Sequence, residues 1–327
     1  MIKKLKIKYL LLSAFLLIAL NFYIFSYQSN TFKLANSIDF NQLIHLNSND
    51  YKFTLNPGYS ICGNNASKTL LLIAVVIISP DFFEQRELIR QTWGSLADFE
   101  KNFKLIFSIG LSKDKSVNER VRKEFIIHND IIQKDFVDSY FNLTFKVMES
   151  FKWVHEFCSN SHYTLRINDD VVVNTYGLLG YVNELKETPN NQLVGLKYVG
   201  SKPIRDPESK FYVSYDVFSQ SYYDDYCEGS AYLIPTKLIK KIYNYSLGFR
   251  YKPFSVWLED VYVGMLAKRM GIGIADVTWR FVPINQYWNI PSWLKYVLIG
   301  ENTLFVYERD YMSFIWNKFL SIRRDSG

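Results

Sequence analysis

From Leu70 to Ile78 the chain reads LLLIAVVII, a continuous apolar run rich in Val and Ile. It is too short to cross a bilayer and lacks the two-residue alternation of a strand with one wet face, so it must be buried on both sides. That is the signature of a strand inside a covered parallel sheet. The segments after it alternate in kind. Phe83–Trp93 reads as a short amphipathic helix, with Leu88, Ile89 and Trp93 on one stripe and Arg86 and Arg90 one turn apart on another. Lys104–Ile109 reads as a strand, Val117–Ile127 as a helix, Ile131–Phe136 as a strand and Leu143–Phe157 as a longer helix. Alternation of this kind predicts an α/β fold with a mostly parallel central sheet, in which ligands bind beyond the carboxyl ends of the strands.

A second apolar run precedes the domain. Tyr9–Phe25 carries no charge and is interrupted only by Ser13 and Asn21, which is the lower limit for spanning a bilayer. Lys3, Lys4, Lys6 and Lys8 lie ahead of it and stay cytoplasmic under the positive-inside rule. A cleaved signal peptide is the competing reading, but the run exceeds a usual signal core and no small-residue cleavage site follows. The expected organisation is a cytoplasmic tail over 1–8, a transmembrane signal anchor over 9–26, a lumenal stem over 27–68 and a lumenal domain over 69–327. Asn-x-Ser/Thr sites at Asn65, Asn142 and Asn244 agree with lumenal placement.

The formal net charge of +6 is modest, and the four leading lysines account for most of it, so nothing resembles a nucleic-acid footprint. With 48% hydrophobic residues the chain can fill a sizeable core, and its 17% aromatic share suits a thick core as well as sugar stacking.

Three segments can carry chemistry. Tyr163–Ile167 has strand composition and runs into Asn168-Asp169-Asp170. At a strand end of an open sheet these carboxylates are placed to hold Mn²⁺ or Mg²⁺ with the phosphates it neutralises, although Asn and Asp are also ordinary turn residues. Glu259-Asp260 stands between bulky apolar groups, which raises a carboxylate pKa and suits a general base; a helix N-terminus is the alternative, and the two are compatible. Tyr222–Pro235 contains Cys227-Glu228-Gly229-Ser230-Ala231, a small-residue stretch that reads as a loop approaching a ligand.

In this order the segments resemble the β-1,3-galactosyltransferase and β-1,3-N-acetylglucosaminyltransferase family, family 31 of the glycosyltransferases. The resemblance rests on RELIRQTWG (Arg86–Gly94), DSYFNLTFKVMESFKWVHEFC (Asp138–Cys158), YTLRINDDVVVN (Tyr163–Asn174), KPIRDPESKFYVS (Lys202–Ser214), YCEGSAYLIP (Tyr226–Pro235) and LEDVYVGMLAKRMGI (Leu258–Ile272). It implies a GT-A-like nucleotide-sugar-binding fold, a UDP-sugar donor, a glycan acceptor, a Golgi membrane location and inversion by direct displacement. Carried over by position, Asp170 becomes the metal-binding acid, with Asn168 and Asp169 beside it at the donor. Asp260 becomes the base with Glu259 adjacent, and Arg86, Arg90 and Trp93 fall on the nucleotide side of the cleft. Lys146 looks like the lysine of the family's NLTLK stretch and faces the donor.

Two positions depart from the family pattern. Asn168 replaces the first acid of the DxD motif, and no histidine occurs after His162, where many relatives carry a metal ligand; Phe305 falls near its expected place. The departures motivate a second reading, a catalytically inactive Golgi protein that binds glycans or a partner transferase. Of the three cysteines, Cys158 with Cys227 is the expected bridge, because the motifs draw those two regions towards one site.

Overall fold

The structure is a computed structural model that describes residues 52–63, 69–187, 191–248, 257–282, 299–300 and 302–325. The run Tyr9–Phe25 and the sequon at Asn65 lie outside the described residues, and no helix among those described is long and apolar enough to cross a membrane. The chain divides into two units, Met1–His45 with Pro203–Gln220, and Leu46–Lys202 with Ser221–Gly327. Within Pro203–Gln220, Arg205 organises the backbone. It donates from Nη1 to the Val213 carbonyl at 2.6 Å and from Nη2 to those of Phe218 and Gln220 at 2.7 and 3.0 Å.

The larger unit is built in chain order from β1 (Phe53–Leu55), β2 (Leu70–Ile77), α1 (Phe83–Gln91), α2 (Leu96–Phe99), β3 (Phe103–Leu111), α3 (Lys115–His128), β4 (Ile131–Val137), α4 (Leu143–Phe157), β5 (Ser161–Asn168), β6 (Val171–Val173), α5 (Thr175–Glu187), β7 (Gln192–Tyr198), β8 (Tyr226–Pro235), α6 (Thr236–Gly248), α7 (Glu259–Arg269), β9 (Gly273–Asp276), β10 (Phe281–Val282), β11 (Phe305–Tyr307) and α8 (Met312–Asp325). An eight-stranded sheet has the order β1-β4-β3-β2-β5-β8-β7-β9, and β10-β11-β6 form a small second sheet. As the apolar run requires, β2 is central and its residues Leu72–Val76 are wholly buried, paired in parallel with β3 on one side and β5 on the other.

The sheet is mixed: four of its seven strand pairings among the described residues are parallel, so the expected parallel character holds at its centre but not throughout. Parallel pairing runs through β4-β3-β2-β5, but β8 is antiparallel to both β5 and β7. The reason lies in Tyr226–Pro235, read from sequence as a loop and found as a ten-residue strand. Its Tyr232, Leu233 and Ile234 are buried between neighbours, and burial there outweighs the turn preferences of Gly229 and Ser230. The ladder shifts register between Gly195 and Lys197 of β7, opposite residues 228–231, and such an irregularity re-aims side chains.

The cysteine expectation is also corrected. Cys62 is bonded to Cys158 with Cα atoms 5.3 Å apart, whereas Cys227 is free and buried. Two parts of the stretch read as stem therefore join the folded unit, since β1 pairs with β4 and Cys62 ties to the end of α4. The bridge closes a loop with a sequence separation of 96. Removing it with Cys62→Ser is expected to cost about 2–4 kcal/mol in denaturant unfolding. Peptide mapping that found Cys158 joined to Cys227 instead would refute the arrangement.

Candidate active site

The carboxyl ends of the parallel strands converge as the topology demands. Lys146, buried on α4, spans two of them: its Nζ donates to the Ile78 carbonyl just after β2 at 3.0 Å and pairs with Asp138 just after β4 at 2.7 Å. Asp138 also accepts from the Gly110 amide of β3 at 2.7 Å. A side chain at Gly110 would place its Cβ 2.8 Å from Phe136, so this crossing requires glycine.

Beside them β5 ends at Asn168, in register with Ile77, and the turn Asp169-Asp170 follows. The two acids differ in environment. Asp169 pairs with Arg309 at 3.0 Å, and burial pushes its carboxyl up to about 6 against the pull of that guanidinium. Asp170 has a buried carboxylate oxygen, Oδ1, with no hydrogen-bond partner. A buried anionic oxygen left unpaired is costly, and a hard divalent cation would satisfy it. Among the described residues no group of three His, Cys, Asp or Glu side chains surrounds a metal. Such a cation would thus be completed by phosphate oxygens and water, with Asn168 at hand as a neutral neighbour.

The C-terminal strand β11 lies antiparallel to β6, with Phe305 opposite Val173 and Tyr307 opposite Val171. Phe305, the expected place of the missing histidine, stacks on Phe281 at 4.7 Å in the core, and its phenyl ring has no atom that could ligate a metal. Tyr307 and Glu308 come to the acid turn in its stead: the Glu308 amide donates to the Asp170 carbonyl at 3.0 Å, and the Tyr307 hydroxyl donates to Glu228. Burial first, then the charges of Glu228 and Asp170, drive the Tyr307 phenol far above its ordinary range, so it stays a neutral donor.

Glu228 also accepts from the Ser230 amide at 3.0 Å and from the Ser230 hydroxyl. It stands between the acid turn and α7. There Glu259, 2% exposed, pairs with Arg166 at 2.7 Å and accepts from the Tyr232 hydroxyl at 2.9 Å. Arg166 rises from the central strand β5 fully buried and also donates to the Gly229 carbonyl. Burial pushes the Glu259 carboxyl up, with Arg166 opposing. Asp260 follows in the first turn of α7, where its Oδ1 accepts from the Val261 amide at 2.8 Å. Its other oxygen faces Gly229, so closely that a Cβ there would lie 3.1 Å away. Burial lifts Asp260 to about 6; the Val261 amide opposes the rise and the Glu228 charge adds to it. Asp260 is thus the less committed acid of the pair, half-buried and with an oxygen beside a glycine.

Asp170, Tyr307, Glu228 and Asp260 form one chain of interacting neighbours, joined by the Tyr307–Glu228 hydrogen bond and by the charges of Asp170 on Tyr307 and of Glu228 on Asp260. Arg86, Arg90 and Trp93 do not join it. Arg86 is wholly buried, bound twice to Glu124 at 2.9 and 2.6 Å and donating to the carbonyls of Ser79 and Pro80. Arg90 is held by Asp130 and Glu124, each at 2.8 Å. Trp93 is fully buried and its carbonyl accepts from Thr175 at 2.7 Å. The two guanidiniums are bound by Glu124 of α3 and by Asp130 just after it, acids that the local sequence does not reveal, and Arg86 also braces the loop after β2 through the Ser79 and Pro80 carbonyls.

Conversely, Arg166, Glu228, Tyr232 and Tyr307 were not singled out from sequence. Arg166 did leave a trace, since one charge inside an otherwise apolar strand demands a buried partner. The other three carry no local signal, being defined by partners far along the chain.

Residues 84–278 match the family model described as Galactosyltransferase. Lactosylceramide 1,3-N-acetyl-beta-D-glucosaminyltransferase A of Danio rerio is 33% identical over 221 residues, covering 65% of this chain and 57% of that protein. The Homo sapiens lactosylceramide 1,3-N-acetyl-beta-D-glucosaminyltransferase is 30% identical over 264 residues, covering 72% and 69%. Beta-1,3-galactosyltransferase 1 of Mus musculus is 32% identical over 233 residues, covering 69% and 68%. The chain thus spans less than two-thirds of the length of the Danio relative. A galactosyltransferase solved with donor and acceptor sugar analogues covers 77% of this chain and 95% of its own at 13% identity and a TM-score of 0.39, too loose a likeness to carry an argument.

Proposed function

Because this chain belongs to the galactosyltransferase family, we propose that it is an inverting hexosyltransferase of GT-A type. It moves galactose or N-acetylglucosamine from a UDP-sugar to a glycan hydroxyl in β-1,3 linkage, from a type II position in the Golgi membrane. The observation that carries this reading is the line of neighbours from Asp170 to Asp260, which leaves one acid for the diphosphate side and another for the acceptor.

Asp260 takes the proton of the acceptor hydroxyl as that oxygen attacks the anomeric carbon from the face opposite the leaving UDP. Glu259 is held by Arg166 and Tyr232 and sets the position of its neighbour rather than moving a proton. Asp138, Asp169, Asp170, Glu228, Glu259 and Asp260 outnumber the Lys146, Arg166 and Arg309 cations, so a bare diphosphate would be repelled. Asp170 would hold Mn²⁺, which when bound supplies the charge neutralisation that a departing UDP needs.

The test is calorimetric titration of UDP and a panel of UDP-sugars with and without Mn²⁺, followed by transfer assays. UDP binding is expected to depend on Mn²⁺, and Asp170→Asn to weaken it by at least about tenfold in the presence of the ion. Absence of binding to any uridine nucleotide under either condition refutes the proposal. Binding of UDP without transfer or donor hydrolysis favours the second reading, a glycan-binding pseudo-transferase, which Asn168 and the absence of a histidine after His162 support.

A further inference from the structure

Tyr307, the last residue of β11, and Glu308 after it reach both ends of the proposed chemistry. The Glu308 amide donates to the Asp170 carbonyl at 3.0 Å, and the Tyr307 hydroxyl donates to Oε2 of Glu228. The same oxygen takes the Ser230 amide at 3.0 Å and the Ser230 hydroxyl, so a single carboxylate closes a clasp around Gly229. Against Gly229 the base leans. A Cβ added there would lie 3.1 Å from Asp260 Oδ2 and 3.2 Å from Glu259 Oε1, and the Gly229 carbonyl accepts from Arg166. Regular pairing does not fix this stretch. The register of β5 on β8 runs from Tyr163 with Pro235 to Ile167 with Ala231, and that of β7 on β8 jumps from Gly195 with Tyr232 to Lys197 with Cys227. Glu228, Gly229 and Ser230 fall in the gap, and glycine is the most permissive residue that could stand there.

A glycine outside the ladder takes its conformation from side-chain hydrogen bonds, and bonds to an ionised acceptor are the stronger kind. Of the groups on Glu228 Oε2, Tyr307 alone comes from a distant segment, so it carries the position of β11, and with it that of the acid turn, to Gly229. We propose that Tyr307 and Glu228 are a positioning pair, which holds Gly229 against Asp260 and so sets the base at a fixed place relative to the acid turn. Phe305 cannot tie the C-terminal strand to a bound cation, and this pair, with the Glu308 amide, supplies a tie made of protein alone. Neither side chain is assigned a proton or a ligand. Loss of the pair leaves Asp260 present but misplaced, which costs rate rather than affinity. The inference rests on the transferase reading and adds to it the residues that keep its base in register with the donor side.

The test measures UDP release from UDP-galactose and UDP-N-acetylglucosamine in Mn²⁺, with water or methyl β-lactoside as acceptor. It compares the parent protein with Tyr307→Phe, Glu228→Ala, Glu228→Gln and the double variant Tyr307→Phe with Glu228→Ala. Tyr307→Phe and Glu228→Ala are each expected to lower kcat about tenfold, the rate equivalent of one hydrogen bond to a charged group. Donor KM and the Kd of UDP are expected to stay within about twofold of the parent values. Glu228→Gln, whose amide oxygen still accepts from Tyr307 and Ser230, is expected to restore most of the rate. The double variant is expected to lose no more than Glu228→Ala alone, because the two side chains act in series. Tyr307→Phe keeps the shape of the ring, so it decides the matter even where Glu228→Ala does not fold. An unaltered kcat in Tyr307→Phe, losses that multiply in the double variant, or a parallel loss of UDP affinity overturns the positioning pair while the parent protein still turns over. A parent protein that releases no UDP from either donor brings down the transferase reading, and the pair with it.

Discussion

Asp260→Asn is expected to lower kcat by about 10²- to 10⁴-fold, the range that a positioned general base contributes, while the Kd for UDP stays within about twofold of the parent value. The asparagine amide keeps the size of the side chain and can still meet the Val261 amide through its carbonyl, but it cannot take a proton. The environment adds a pH signature. With Asp260 lifted to about 6, the unmutated enzyme loses its base as pH falls through 6, so kcat/KM is expected to drop about tenfold per pH unit below that value. Above it the profile flattens. The stability effect has the opposite sign. Between the ordinary carboxylate value of 3.8 and about 6 the folded protein retains a proton that the unfolded chain releases. The contribution of Asp260 to stability therefore declines as pH rises through that window. Asp260→Asn removes this penalty and is expected to be slightly more stable than the parent at pH 7. Parallel measurement of kcat, UDP affinity and denaturant midpoint checks all three. Loss of UDP binding in the variant would reassign Asp260 to the donor side.

Arg166→Met is expected to destabilise the protein by about 3–5 kcal/mol, because it strips the counter-charge from carboxylates that stay behind in the interior. Arg166 is 1% exposed and pairs with Glu259, itself 2% exposed, while the charges of Asp260 and Glu228 also act on it. The double variant Arg166→Met with Glu259→Gln is expected to recover much of the loss, since removing both members of a buried pair leaves no stranded charge. Urea unfolding of the four proteins of this cycle measures the coupling. A loss below about 1 kcal/mol in Arg166→Met would mean that Glu259 has another counter-ion. In terms of activity the single variant is expected to be worse than its stability alone explains. Arg166 stands on β5, two residues before Asn168, and so ties the acid turn to the helix that carries the base.

Much of this protein was legible in the chain itself. The apolar run at Leu70–Ile78, the helix over Leu143–Phe157 and the strand that ends at Asn168 follow from periodicity, a local property that each segment carries alone. The acid turn and the Glu259-Asp260 pair were legible for the same reason: acids placed against apolar runs are conspicuous wherever the chain goes next. What local pattern misjudged was β8, whose Cys-Glu-Gly-Ser stretch has turn composition yet is drawn into the sheet by β5 and β7.

Partner choice was settled only by the tertiary structure. That Arg86 pairs with Glu124, that Cys158 bonds Cys62 rather than Cys227, and that Glu308 after β11 comes to Asp170 all depend on contacts between distant segments. A guanidinium or a thiol carries the same chemistry in any surroundings, and burial with a particular neighbour decides its use. Sequence therefore determined which elements form and where acids punctuate them. Packing determined that Arg166, Glu228 and Tyr307 lie between those acids, because the cost of an unpaired buried charge is met only once the chain has closed around it.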